Sequence, residues 1–136
     1  MKNRGIIYLW LSLLLLATSC DENQNNDPNF VEREAAVTEA IIPNEAIIGE
    51  TVTLTLKLSL NGCDEFSRFE REKNGNVINF LVYASRDINS SEACLTAFFE
   101  HIVDVDVVFS EAGVFQLVFE NTLDNESLQY QIEILQ

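Results

Sequence analysis

The sequence predicts an all-β fold over residues 34–136, an antiparallel β-sandwich of about seven strands. Three features carry that expectation. Residues 51–60 alternate strictly, with Val52, Leu54, Leu56, Leu58 and Leu60 on one face and Thr51, Thr53, Thr55, Lys57 and Ser59 on the other. That is the period-two pattern of a strand with one buried face. Asn74-Gly75 lies between two strand-like runs, a hairpin signal because the favoured tight turns need positive φ. Turn-forming residues recur every 8–16 residues, and no helical periodicity intervenes.

Residues 1–19 have a different character. Lys2 and Arg4 make a positive start, and residues 6–17 are apolar apart from Ser12. Those 12 residues fall short of the roughly 20 that a membrane-spanning helix needs. Ala17, Thr18 and Ser19 then precede Cys20. This segment resembles the signal peptide and lipobox of bacterial lipoproteins, with Ala17 where leucine is usual. The resemblance implies cleavage before Cys20, acylation of its thiol with palmitate-type chains, and attachment to the outer membrane. Two or three acyl chains anchor stably where one is marginal.

Residues 20–33 are expected to be the acylated cysteine and a flexible tether. Residues 21–29 read DENQNNDPN, with nothing apolar to bury. Such acidic, Asn-rich stretches resemble the tethers of Bacteroidetes lipoproteins, where they are associated with export to the cell surface.

The strands follow in order. A first strand is expected within residues 30–42, before Pro43, then a short apolar piece at 46–48 and the alternating strand at 51–60. Residues 65–73 and 76–86 form the hairpin arms. The first arm is mostly charged, with Phe66 and Phe69 as anchors, and belongs toward a sheet edge. Residues 95–109, 114–120 and 127–135 complete the set.

The formal net charge is −14, and near −16 without residues 1–19. That excludes nucleic acid and electrostatic binding to anionic lipid as partners, and reads as a solvated surface. With Cys20 assigned to lipidation, Cys63 and Cys94 are an even pair in an exported chain, and a disulfide is expected. Two isolated cysteines and one histidine make no zinc set, so neither metal nor cofactor is expected.

Few residues suggest chemistry. His101, the only histidine, lies in a strand, and the sequence has no Gly-x-Ser-x-Gly elbow to supply a nucleophile. Asp104 and Asp106 project from one strand face and read as solvent-facing. Asp124-Asn125-Glu126 offers oxygen ligands without the spacing of a calcium loop. Phe66, Phe69, Phe98 and Phe99 form a candidate binding surface. Phe98 and Phe99 face opposite ways, so one is expected in the core and the other, on the side of Glu100, in solvent.

The corner Ala112-Gly113-Val114-Phe115 resembles the turn into strand F of immunoglobulin-like domains, with Phe115 where a tyrosine often sits. An immunoglobulin core tryptophan has no counterpart, because Trp10 lies in the signal segment. The pattern Leu58-Ser59-Leu60-Asn61-Gly62-Cys63, Phe66, Phe69-Glu70, Gly75-Asn76, Val82-Tyr83-Ala84, Cys94 and Gly113 resembles a family of small uncharacterised Bacteroidetes lipoproteins. The resemblance implies a disulfide-linked immunoglobulin-like β-sandwich on the cell envelope and brings no catalytic residues. The expected function is a non-enzymatic binding or structural module with a protein or glycan partner. Its alternatives are a glycan-binding accessory or a protease inhibitor displayed at the surface.

Overall fold

A computed structural model describes residues 29–90, 93–121 and 126–136. Cys20, the signal segment, most of the tether and Asp124-Asn125 lie outside the described residues. The strands are β1 (Phe30–Glu34), β2 (Ala36–Ile41), β3 (Glu45–Ile47), β4 (Thr51–Asn61), β5 (Glu65–Asn74), β6 (Val77–Asp87), β7 (Phe98–Val108), β8 (Gly113–Asn121) and β9 (Glu126–Leu135). They form a three-stranded sheet, β2-β4-β7, and a six-stranded sheet running β1-β6-β8-β9-β3 with β5 on the other side of β6.

The all-β expectation holds, with two corrections. There are nine described strands rather than about seven, because the predicted first strand divides at Ala35 and the short apolar piece near 46–48 is a paired strand of its own, β3. β1 joins the large sheet beside β6, and β2 joins the small sheet beside β4. Residues 30–33, assigned above to the tether, are thereby part of a paired strand. The sheets are also not wholly antiparallel. β6 runs parallel to β8, and β3 parallel to β9. Parallel neighbours need a crossover connection, and β7, in the opposite sheet, lies on the route from β6 to β8.

The alternation in β4 is realised in full. Val52, Leu54, Leu56, Leu58 and Leu60 are buried against the large sheet. They meet Ile78, Phe80, Val82 and Ala84 of β6, Phe115, Leu117 and Phe119 of β8, and Ile132 and Ile134 of β9. Phe80 stacks on Phe119 with ring centroids 4.8 Å apart. Tyr130 meets Phe119 edge-on, and its hydroxyl accepts the Ala40 N–H at 3.0 Å, joining β9 to β2. Phe109 and Phe115 pack across the corner before β8, with ring centroids 5.8 Å apart.

Two bulges shift the phase of the pattern. In β5 the register steps from Phe66↔Ala84 to Arg68↔Tyr83, leaving Ser67 as the extra residue. Phe66 and Phe69, three apart, therefore both turn toward the core, while Ser67 and Arg68 both turn out. Thr38 does the same in β2, so that Val37 and Ala40 are both buried. The hairpin turn falls one residue later than expected. Asn74 pairs with Val77, and the loop is Gly75-Asn76. Gly75 supplies the positive φ of 61° that a primed turn requires at its first central position.

On the outer face of the large sheet, Arg68 lies 4.0 Å over the Tyr83 ring and binds Glu32 at 2.8 Å and Glu70. This joins β1 to β5 across β6. Hydrogen bonds from Arg68 and Ser67 hold the Glu32 carboxyl below the usual carboxylate range.

Leu58→Ala is expected to lower stability by about 2–5 kcal/mol, and the exposed Ile102→Ala to stay within about 0.5 kcal/mol of the parent, both read by urea unfolding. Because the folded pKa of Glu32 is depressed, its contribution is present at neutral pH and is lost as pH falls below about 4. The stability gap between the parent and Glu32→Gln should thus be full near pH 7 and narrow progressively as pH falls through the acid range, read by urea unfolding.

Candidate interaction surface at the open end and the β7 edge

The chain enters the described structure at one end of the sandwich. There β1, β5 and β7 begin and β4 and β6 finish, as the pairs Phe30↔Asp87, Glu65↔Ser85 and Asn61↔Phe98 show. The Cys63–Cys94 disulfide lies at this end, with its Cα atoms 5.3 Å apart. It ties the β4–β5 turn to the segment that leads into β7. Gly62 permits the approach, because a Cβ there would come within 3.0 Å of the Leu95 Cβ.

Beside the disulfide, Asp64 is buried. Its N–H donates to the Asn61 carbonyl at 3.0 Å. Arg33 of β1 forms an ion pair with Oδ2, and Arg86 of β6 approaches Oδ1 at 3.4 Å, an oxygen that accepts no hydrogen bond. A carboxylate removed from water requires opposite charge, and two arginines from adjacent strands converge to supply it. This cluster draws the turn onto β1 and β6. Nothing in the sequence marks it, since an acid next to a turn cysteine reads as exposed.

A cleft of about 480 Å³ opens at the same end, lined by Phe30, Asp64, Glu65, Asp87 and His101 among others. His101 is half-buried on the inward side of β7, opposite Leu58. Of the carboxylates lining the cleft, Asp64 is committed to its arginines, and Asp87 accepts the Asn89 N–H at 2.8 Å. Cys63 and Cys94 are oxidised to each other. Among the described residues no group of three or more histidine, cysteine or acidic side chains is arranged to hold a metal ion.

The four predicted aromatics separate into two pairs. Phe66 and Phe69 are half-buried against the core, with Phe69 6.1 Å from Phe80. Phe98 and Phe99 are exposed on β7, at 61% and 43%. Phe98 faces solvent on the side of Glu100, as expected. Phe99 points inward but remains open, and among the described residues no strand pairs with the far side of β7 to cover it. Leu95 and Ile102 are equally exposed, at 62% and 64%. Sequence reasoning passed over both, because an apolar residue in a strand normally signals burial.

Asp104 and Asp106 lie on the exposed face of the small sheet. Thr55 donates to Asp104 at 2.6 Å and Thr53 to Asp106 at 2.7 Å, each from the directly opposite position on β4. Lys57 on the same face is ion-paired with Glu39 at 2.6 Å, and that carboxylate raises the lysine's pKa. β7 is the outermost strand of its sheet, and among the described residues no strand pairs with its far side.

The chain matches no known protein family, no curated protein and no solved structure. What stands is an all-β domain with a Cys63–Cys94 disulfide.

Reduction of the disulfide should lower stability by roughly 3–4 kcal/mol, the loop-closure effect of a 31-residue separation. Asp64→Asn should cost about 1–3 kcal/mol, since it leaves two arginines without their shared counter-charge. Parallel urea curves with and without reductant measure both.

Proposed function

We propose that this chain is a cell-envelope lipoprotein, anchored through acylated Cys20, whose β-sandwich is a non-enzymatic module for binding a protein partner. The observation that carries the binding role is the pair Phe98 and Ile102, large apolar side chains exposed on the same face of β7 on either side of Glu100. Monomeric domains seldom leave large side chains exposed together along one strand unless another surface covers them. The anchoring role rests on the signal segment and on the small residues Ala17, Thr18 and Ser19 that precede Cys20.

We read the domain as a divergent immunoglobulin-like sandwich of the kind found in the Bacteroidetes lipoproteins it resembles. The order β2-β4-β7 parallels strands A-B-E of that fold, and the β8-β9 hairpin parallels F-G. The departure is the β5-β6 hairpin. Immunoglobulin sheets place the first arm, strand C, next to F, whereas here the second arm, β6, lies next to β8 and runs parallel to it.

A second reading, a glycan-binding accessory, has one specific support. The end cleft places the ring of Phe30 together with Glu65, Asp87 and His101. Apolar and hydrogen-bonding groups in one concavity suit a sugar.

Cys20→Ala should move the protein from the membrane fraction to the soluble fraction; persistence with membranes would remove the lipid-anchor reading. The double substitution Phe98→Ser and Ile102→Ser should preserve the melting temperature while abolishing in-cell photo-crosslinking from position 100 to an envelope protein. Unchanged crosslinking would count against this pair as the binding surface.

A further inference from the structure

The two outer strands of the sandwich that border its open side are protected very differently. β5, the outer strand of the large sheet, carries both signs of charge in Glu65, Arg68, Glu70, Arg71, Glu72 and Lys73. None of its residues is among the large exposed hydrophobics. Mixed charge on an edge discourages any incoming strand. β7, the outer strand of the small sheet, carries one sign only. Its solvent face reads Phe98, Glu100, Ile102, Asp104, Asp106 and Val108, so exposed apolar side chains and carboxylates share it.

The carboxylates are set in place. Asp104 and Asp106 are oriented by Thr55 and Thr53, and Lys57, the lysine of this face, is taken by Glu39. At the far end of the strand, Arg71 donates to the Val108 carbonyl at 3.1 Å, which occupies the last acceptor from the side of β5. The stretch from Phe98 to Asp106 has no such cover among the described residues.

From this geometry we infer that β7 is a docking edge for an extended segment of a partner protein in which basic and apolar residues alternate, added as a fourth strand to the small sheet. The occupant follows from charge. Lysine or arginine side chains opposite Glu100, Asp104 and Asp106 would form cross-strand pairs, and like charges directly opposite are unfavourable. A second copy of this chain does not suit. Full-length antiparallel self-pairing of β7 sets Glu100 against Asp106 twice. The inward side of the added strand would cover Phe99 and the half-buried His101 and Val103, which the sandwich leaves partly open. Backbone bonding supplies affinity in such strand addition, and alternate side chains supply selectivity.

This inference rests on the reading of the domain as a partner-binding module and is independent of the lipid anchor. The test uses the acylated protein in phosphatidylcholine nanodiscs and two synthetic nonapeptides, one alternating lysine with valine and one alternating glutamate with valine. Hydrogen exchange is followed across the chain. The lysine peptide should slow exchange of β7 amides at least tenfold and leave β5 unchanged, and the glutamate peptide should do neither. Ile102→Lys, at an exposed position and checked for an unchanged melting temperature, should weaken binding of the lysine peptide at least tenfold. No protection of β7, equal protection by both peptides, or protection of β5 as well would overturn the inference. So would slow exchange of β7 without peptide that disappears on Cys20→Ala, since the edge would then be seated on lipid. If peptides fail while the Phe98/Ile102 double substitution still abolishes the crosslink, strand addition falls and the binding module stands.

Discussion

Phe80 stacked on Phe119 is the contact around which the large sheet is arranged. The two residues are direct partners in the parallel pairing of β6 with β8, and both are almost wholly buried. Aromatic pairs in offset stacking add about 0.5–1.5 kcal/mol beyond the area they bury. A hairpin has two arms, and only one can take the central place beside β8. The arm with inward Ile78, Phe80, Val82 and Ala84 takes it, and the charged arm is left outermost. β8 accompanies β6 only as far as Phe80↔Phe119. Beyond that point β1 pairs with the remainder of β6, which is why the N-terminal strand belongs to the domain.

Much of this was legible in the sequence, because alternation reports burial directly. Residues 51–60, 77–86 and 127–135 lie within strands close to the expected limits, and the edge position of 65–73 followed from its charge. The pairing partner of β6 was not legible. Alternation shows which side chains point inward but not which strand lies alongside. The division at Ala35 was hidden too, since β1 is exposed along its whole length and has no burial pattern to read. For the surface, Phe98 on the side of Glu100 was readable, while Leu95 and Ile102 were not. The Asp64 cluster joins residues 31 and 22 positions apart, beyond what local patterning can show.

The electrostatics of the domain are one-sided. Arg33, Lys57, Arg68, Lys73 and Arg86 are each paired with a carboxylate, and Arg71 with a backbone carbonyl. The cations are thus used internally to tie strands together, and the surplus acids set the surface potential. Association with basic partners is accelerated by such a field and slowed by salt, whereas the strands themselves are held by apolar contact.

The bulges at Thr38 and Ser67 have a consequence for kinship. Each inserts one residue, and on either side of it the inward and outward positions follow opposite parity. A chain with the same architecture but no bulge at residue 67 would be out of phase with this one along half of β5. Placed residue against residue, the two would set core against surface there until a gap of one restored the frame. Shape can therefore persist among such chains after letter-by-letter likeness has gone.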